Sequence, residues 1–412
     1  MLAKSIIATA LLSFVASASE IALYWGQAGA NTQQESLASY CSKGDADIFI
    51  LSFMDTFSSA DAQMDINFSN ACGGTRANNG LMECTQIGED IKTCQKLGKK
   101  IFLSLGGASG SYGFSSDSVA EGFAETLWDY FGAGTGKSTS ERPFGDAVVD
   151  GFDFDIEGGG ATGYAALATK LRDYYAQDSS KTYYISAAPQ CPYPDSYVGD
   201  LLSKAKVDYA FVQFYNNYCS VDGTFNWDTW ADFAKSAPND QIKIFLGLPG
   251  SSASAGSGYI DTDTIKSTIN GAIAANNANF GGVMLWDASS SYANGNFVSD
   301  LRGVLDGSSS GSSDSSSASA SSDSASAVTA ESYSSAEQSE VSSAAESTEA
   351  PAYSSVSSTE ATEATSYSAP AVSSTGVETS SNPESPAPAS TSVAYTADSS
   401  TNCYSIHSIY PS

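Results

Sequence analysis

Apolar positions in the first 306 residues fall into two alternating patterns. Short runs rich in β-branched and aromatic residues occupy 21–25, 48–53, 100–105, 148–156, 183–187, 209–215, 242–248 and 281–286. Such runs read as strands. Between them, apolar residues recur at helical spacing, for instance over 88–97, 118–130, 163–176 and 264–275. Strands that alternate with helices over this length predict α/β architecture, and eight of them predict a closed parallel (β/α)8 barrel. A doubly wound open sheet has the same alternation and is the structural alternative, because counting strands does not establish closure.

One strand departs from the rest. The run from Asp150 reads D-G-F-D-F-D-I-E, with Asp153, Asp155 and Glu157 at every second position and Phe152, Phe154 and Ile156 between them. Side chains alternate across a strand, so one face is acidic and the other apolar. Like charges at that spacing repel and raise each other's pKa, which marks acid chemistry or a metal site. Glu157 ends the fourth strand just before Gly158-Gly159-Gly160. In a barrel that is the ligand-binding mouth. Asp150-Gly151 reads as a turn into the strand.

Composition changes the picture at both ends. Lys4, an apolar stretch over 6–15 and Ala16-Ser17-Ala18 form the pattern of a secretory signal peptide over 1–18. A short membrane anchor is the alternative, but no stretch reaches the roughly 18 to 20 apolar residues that a span needs. After Asp306 the chain turns to Ser, Ala, Thr, Glu and Pro. Residues 307–412 are therefore expected to form a disordered, O-glycosylated tail. The barrel is expected over 19–306, in a protein exported to the extracellular space or cell wall.

Charge and residue type narrow the chemistry. The net charge is −28 with only 18 Lys and Arg, which argues against nucleic acid as a partner. The one histidine, His407, lies near the C-terminus, so the barrel has none for a catalytic triad, a histidine base or the usual zinc ligands. Chemistry is left to carboxylates, tyrosines and amides, and no cofactor is called for. Of seven cysteines, Cys41, Cys72, Cys84, Cys94, Cys191 and Cys219 precede residue 220, while Cys403 is left over in the tail. In an exported protein six cysteines imply disulfides, with about 15 pairings open. Asn67-Phe68-Ser69 is an N-glycosylation acceptor at Asn67.

The acidic strand has the D-G-x-D-x-D-x-E form of family 18 glycoside hydrolases, the chitinases, and Ser104-Leu105-Gly106-Gly107 resembles their S-x-G-G motif. Tyr24-Trp25-Gly26-Gln27, the run Ala187-Ala188-Pro189-Gln190-Cys191-Pro192, Gln213-Phe214-Tyr215-Asn216-Asn217 and Met284-Leu285-Trp286-Asp287 resemble the plant-type class III chitinases and their fungal relatives. The likeness spans about residues 20 to 306 and, with the tail, is similar to a yeast secreted or wall-associated chitinase. It implies a metal-free enzyme acting on chitin and chito-oligosaccharides, expected as a monomer held to the wall through its tail. Glu157 is implied as general acid, with Asp155 and Tyr215 holding the substrate's acetamido group and Asp153 behind them. Such enzymes need no protein nucleophile, because the acetamido oxygen attacks the anomeric carbon and the configuration is retained. Asp153 and Asp155 are expected to share one proton.

The resemblance also implies a sugar floor of Trp286, Tyr24 and Phe53, with Gln27, Gly107, Ala108 and Gln213 contacting the polymer. It implies the pairings Cys41 with Cys94, Cys72 with Cys84, and Cys191 with Cys219. From the residues alone, Tyr215 and Trp286 read equally well as core. The glycine-rich Cys72–Cys84 loop is expected to shape the distal cleft. Four alternatives stay open: an endo-N-acetylglucosaminidase on N-glycans, a catalytically silent lectin or inhibitor, a structural wall glycoprotein, and a metal hydrolase built on Asp153, Asp155 and Glu157.

Overall fold

The computed structural model describes residues 19–28, 32–59, 63–77 and 80–307. The signal peptide and the tail, with Cys403 and His407, lie outside them, apart from Gly307. Eight parallel strands form the centre: β1 (Glu20–Trp25), β2 (Ile48–Phe57), β4 (Lys100–Gly107), β6 (Gly151–Ile156), β7 (Tyr184–Ala187), β8 (Tyr209–Gln213), β9 (Lys243–Pro249) and β10 (Phe280–Trp286). They pair in that order, and β1 pairs with both β2 and β10. That double pairing closes the barrel and removes the open-sheet alternative.

Two short strands, β3 (Asp65–Ile66) and β5 (Ser111–Tyr112), pair with the end of β2. They extend β2 four residues past the limit that the apolar run predicts. Residues 148–150 precede β6, and β8 stops at Gln213, so Tyr215 stands beyond its strand.

Helices α1 (Leu37–Lys43), α2 (Thr85–Lys96), α3 (Asp117–Phe131), α4 (Tyr164–Tyr175), α5 (Gly199–Lys204), α6 (Trp227–Ala234), α7 (Thr262–Thr268), α8 (Ala288–Ala293) and α9 (Phe297–Leu305) pack outside the barrel. The side chains of Ser36, Ser116 and Asp261 cap α1, α3 and α7 by accepting backbone N–H bonds, satisfying donors that a helix start leaves unpaired. The predicted helix over 264–275 is observed as α7 running into a π-helical turn, Ile269–Ile273, around Gly271.

The alternation along β6 divides its two faces between two cores. Phe152, Phe154 and Ile156 join the larger apolar cluster between strands and helices. A second cluster, including Tyr24, Ile50, Phe102, Phe211, Phe245 and Met284, fills the barrel interior. Asp150 is a structural residue at the base of the barrel. Its Oδ2 accepts from the Ile101 N–H at 2.8 Å and Gln95 Nε2 at 2.9 Å, and Lys181 pairs with Oδ1 at 2.5 Å. The turn reading of Asp150-Gly151 therefore gains an anchor tying β6 to β4 and α2. At the other end of the fold, Arg302 of α9 reaches Asp47 at 3.0 Å and the Ser19 carbonyl at 2.8 Å, fastening the last helix to the first strand.

Candidate active site

Three consecutive inward positions of β6 climb from the barrel interior to its mouth. Asp153 is fully buried, Asp155 is buried higher up, and Glu157 is partly exposed just past the strand. Asp153 accepts three hydroxyl hydrogens: from Tyr24 at 2.8 Å, Ser104 at 2.7 Å and Ser186 at 2.6 Å. These come from β1, β4 and β7, so one carboxylate ties together three strands. Burial pushes its pKa up, and the three donors oppose that push.

Asp155 lacks a comparable set of donors. Gln213 Nε2 donates to it at 3.0 Å and also to the Ala188 carbonyl at 3.0 Å. Burial first, then the neighbouring Glu157 and Asp153 charges, drive the Asp155 carboxyl far above its ordinary range. Glu157 is raised as well, by burial and then by the charge of Asp195, while side-chain bonds from Gln190 and Gln213 favour its ionised form. Tyr215 is buried near both, and burial beside two carboxylates pushes its phenol well up. It therefore remains a proton donor.

These shifts have a sign that stability measurements can read. Asp155 and Glu157 hold protons more tightly folded than unfolded. The linked stability is fully present below the unfolded carboxylate range and is lost as pH rises through the raised values. Asp155→Asn removes the strongest of these shifts. Its melting temperature should gain on the unaltered protein as pH is moved from about 4 to about 8. A difference that stays constant across that range would remove the buried proton from the account.

The cleft above the carboxylates holds about 230 Å³ and is lined by Tyr24, Gln27, Phe53, Asp55, Asn67, Ala108, Ser109, Asp155, Glu157, Gln213, Tyr215, Asn216, Ser254 and Trp286. Its floor is aromatic: Phe53 stacks on Trp286 at 5.9 Å, and Tyr24 lies 5.6 Å from Trp286 and 6.1 Å from Phe53. Rings set this way offer flat apolar faces to the cleft, while the Tyr24 hydroxyl is turned inward to Asp153. The Ser52–Phe53 and Trp286–Asp287 peptides are cis. Gln27 bridges the Ser52 carbonyl at 2.9 Å and the Asn67 carbonyl at 2.8 Å.

Most of the residues expected at the site converge on this cleft, Tyr215 and Trp286 included. Gly107 is placed otherwise. At φ +92° a side chain there would be strained, and a Cβ would meet the Phe53 ring at 2.9 Å. Its smallness lets Phe53 sit where it does, and Ala108 and Ser109 form the wall instead. Gly106 has the same kind of reason, since a Cβ would strike the Asp155 carbonyl at 2.3 Å.

Among the described residues, the Cys72–Cys84 loop contributes none of the lining residues. Arg76 ties it to Asp65 with bonds of 2.9 and 2.8 Å. Asn67, just before that loop, does line the cleft, and its exposed side chain accepts the Ser69 N–H at 2.9 Å. Sequence reasoning missed Asp55, Asn216, Gln190 and Asp195. Each follows the core of a barrel strand, so the rule that ligands sit at strand C-termini was the available signal.

The three disulfides pair Cys41 with Cys94, Cys72 with Cys84 and Cys191 with Cys219, at Cα separations of 5.4, 5.5 and 5.9 Å. Among the described residues no group of three or more His, Cys, Asp or Glu is placed to hold a metal ion. Asp153, with its hydroxyl donors, has the surroundings of a hydrogen-bond acceptor and not those of a metal ligand.

Residues 20–262 match the model of the glycosyl hydrolases family 18. An endochitinase of Saccharomyces cerevisiae is 62% identical over 276 residues, covering 66% of this chain and 47% of that protein. A chitinase of Ipomoea carnea has a similar structure, with TM-score 0.60 and 33% identity, over 69% of this chain and 99% of its own. A xylanase and α-amylase inhibitor from Scadoxus multiflorus is also similar, with TM-score 0.58 and 32% identity, over 70% and 98%. The chain belongs to glycosyl hydrolase family 18. It spans about half the length of the first curated relatives it matches.

Proposed function

We propose that this chain is a secreted endochitinase that hydrolyses β-1,4 linkages between N-acetylglucosamine units with retention of configuration. The observation that carries this reading is Glu157 at the mouth of the barrel beside buried Asp155, above a floor of Tyr24, Phe53 and Trp286.

Glu157 gives its proton to the glycosidic oxygen as the bond to the anomeric carbon breaks. The acetamido oxygen of the same sugar closes on that carbon, forming an oxazolinium cation and leaving no need for a second carboxylate nucleophile. Asp155 and Tyr215 hold the acetamido group in the attacking geometry, and Gln213 holds Asp155. Of the Asp153–Asp155 pair, Asp155 carries the proton at rest, because Asp153 already accepts three hydroxyl hydrogens. Water then opens the cation, with Glu157 taking the proton back. The complete set of Glu157, Asp155 and Tyr215 disfavours a silent lectin or inhibitor.

The substrate is chitin or its soluble oligomers, and the wall is where the protein would meet it. Among the described residues no helix is long and apolar enough to cross a membrane. The fastening of α9 to Ser19 and Asp47 makes the barrel a self-contained unit. Deleting residues 308–412 should therefore leave the rate of oligomer cleavage within about twofold of the full chain. An insoluble or inactive product would make the tail part of the catalytic fold.

The direct test is incubation of the purified protein with a chitin hexamer. Internal cleavage giving β-anomers supports the reading, and release of single sugars from one end alone would contradict the endo assignment.

A further inference from the structure

Asp55, Asp155 and Glu157 are the carboxylates that line the cleft, and the scheme above uses only the last two. The place of Asp55 follows from the outer part of β2, which runs past the floor residue Phe53. Met54 packs in the cluster between strands and helices, while Phe53 belongs to the cluster inside the barrel. Side chains alternate along a strand, so Asp55 returns to the Phe53 side, one step nearer the mouth. The strand is pinned there on both edges. Met54 and Thr56 pair with Ile66 and Asp65 of β3, and Thr56 pairs with Ser111 of β5. Gly110, just before β5, packs so closely that a Cβ would meet the Asp55 carbonyl oxygen at 2.2 Å. The Asp55 backbone is therefore fixed, and its half-buried carboxylate accepts from Thr56 Oγ1 at 3.2 Å.

No Lys or Arg lines the cavity, so no cation in the wall answers that charge. A cleft lined by one sign of charge concentrates ligands of the other. The whole chain, with 46 Asp and Glu against 18 Lys and Arg, favours a cationic ligand in the same way. Fully acetylated chitin is neutral and makes no use of this. Removing an acetyl group from one sugar leaves an amine, which is an ammonium in mildly acid solution. The sugar whose bond breaks has to keep its acetamido group, because that group is the attacking nucleophile. A neighbouring sugar is under no such demand. Asp55 stands outward of the aromatic floor beneath the reacting sugar, where a neighbouring sugar would pass.

We propose that Asp55 is a specificity residue that selects a glucosamine unit beside the reacting N-acetylglucosamine, so that partly deacetylated chitin is a preferred substrate of this cleft. The inference rests on the reading of the cleft as the site of chitin cleavage. The ammonium donates to the Asp55 carboxylate in a charge-assisted hydrogen bond, whereas an acetylated neighbour offers only a neutral amide. Burial pushes the Asp55 carboxyl up, and a docked ammonium opposes that push by favouring the ionised form.

The test digests soluble, randomly deacetylated chitin at mildly acid pH with the full chain and with Asp55→Asn, and sequences the sugars at both new ends of the products. The catalytic reading requires N-acetylglucosamine at every new reducing end, with either protein. The inference requires more. With the unaltered protein, a sugar flanking that unit at the cut should be enriched in glucosamine over the starting polymer. Asp55→Asn should cut the enrichment about fivefold. No enrichment with the unaltered protein, or equal enrichment with the variant, would overturn the inference and leave the catalytic reading standing. If Asp55→Asn does not fold, as judged by its melting curve, added salt decides with the unaltered protein. Enrichment that falls as salt rises supports the charge, and enrichment indifferent to salt refutes it. Glucosamine at the new reducing ends is a separate outcome, which removes the substrate-assisted reading and this inference with it.

Discussion

Replacing Glu157 with Gln is expected to lower turnover of a chitin oligomer by about two to four orders of magnitude while leaving oligomer binding measurable. The side chain keeps its size, but an amide has no acidic proton to give. Proton donation is needed only as the glycosidic bond breaks, so the loss should fall on kcat and spare KM. The unaltered enzyme should lose activity toward alkaline pH as Glu157 ionises, and the variant's residual activity should lack that limb. Near-normal turnover would remove Glu157 from the role of acid.

Asp155→Ala is the second large effect. Its carboxyl, once ionised, is opposite in sign to the charge that develops on the oxazolinium cation, and it is held by Gln213 Nε2 at 3.0 Å. Losing a preorganised stabiliser of this sort costs about a hundred- to a thousandfold in kcat. Asp153→Ala is a different experiment. It would strand the hydroxyls of Tyr24, Ser104 and Ser186 inside the barrel, and its effect should appear chiefly in the melting temperature. Equal kinetic effects and equal melting losses for the two aspartates would contradict this division of labour.

Much of this was legible along β6 alone. The period-two alternation separated an apolar face, which packs on the helices, from an acidic face in the barrel interior, and the end of the strand put Glu157 at the mouth. The alternation of strands and helices gave the parallel architecture, but closure depends on β1 pairing with both β2 and β10, a contact between distant segments that no local pattern carries. Aromatic residues such as Tyr24, Phe53 and Trp286 look like core from composition. Only their common position at strand ends separates a sugar floor from packing.

The reasons behind the glycines were similarly hidden. Gly107 is small to admit the Phe53 ring, which is a tertiary requirement and not a ligand contact. Asn67 is readable as a glycosylation acceptor from its tripeptide, and the fold adds that its exposed side chain lines the cleft.

The central claim is substrate-assisted acid catalysis by Glu157, and product stereochemistry tests it most directly. Chitin hexamer would be incubated with the protein and with Glu157→Gln, and the anomers followed by NMR from the first turnovers, with and without a chelator. The account predicts internal cleavage, β-anomers as the first products, indifference to the chelator and loss of cleavage in the variant. First products with α configuration, or equal binding without cleavage by both proteins, would contradict it.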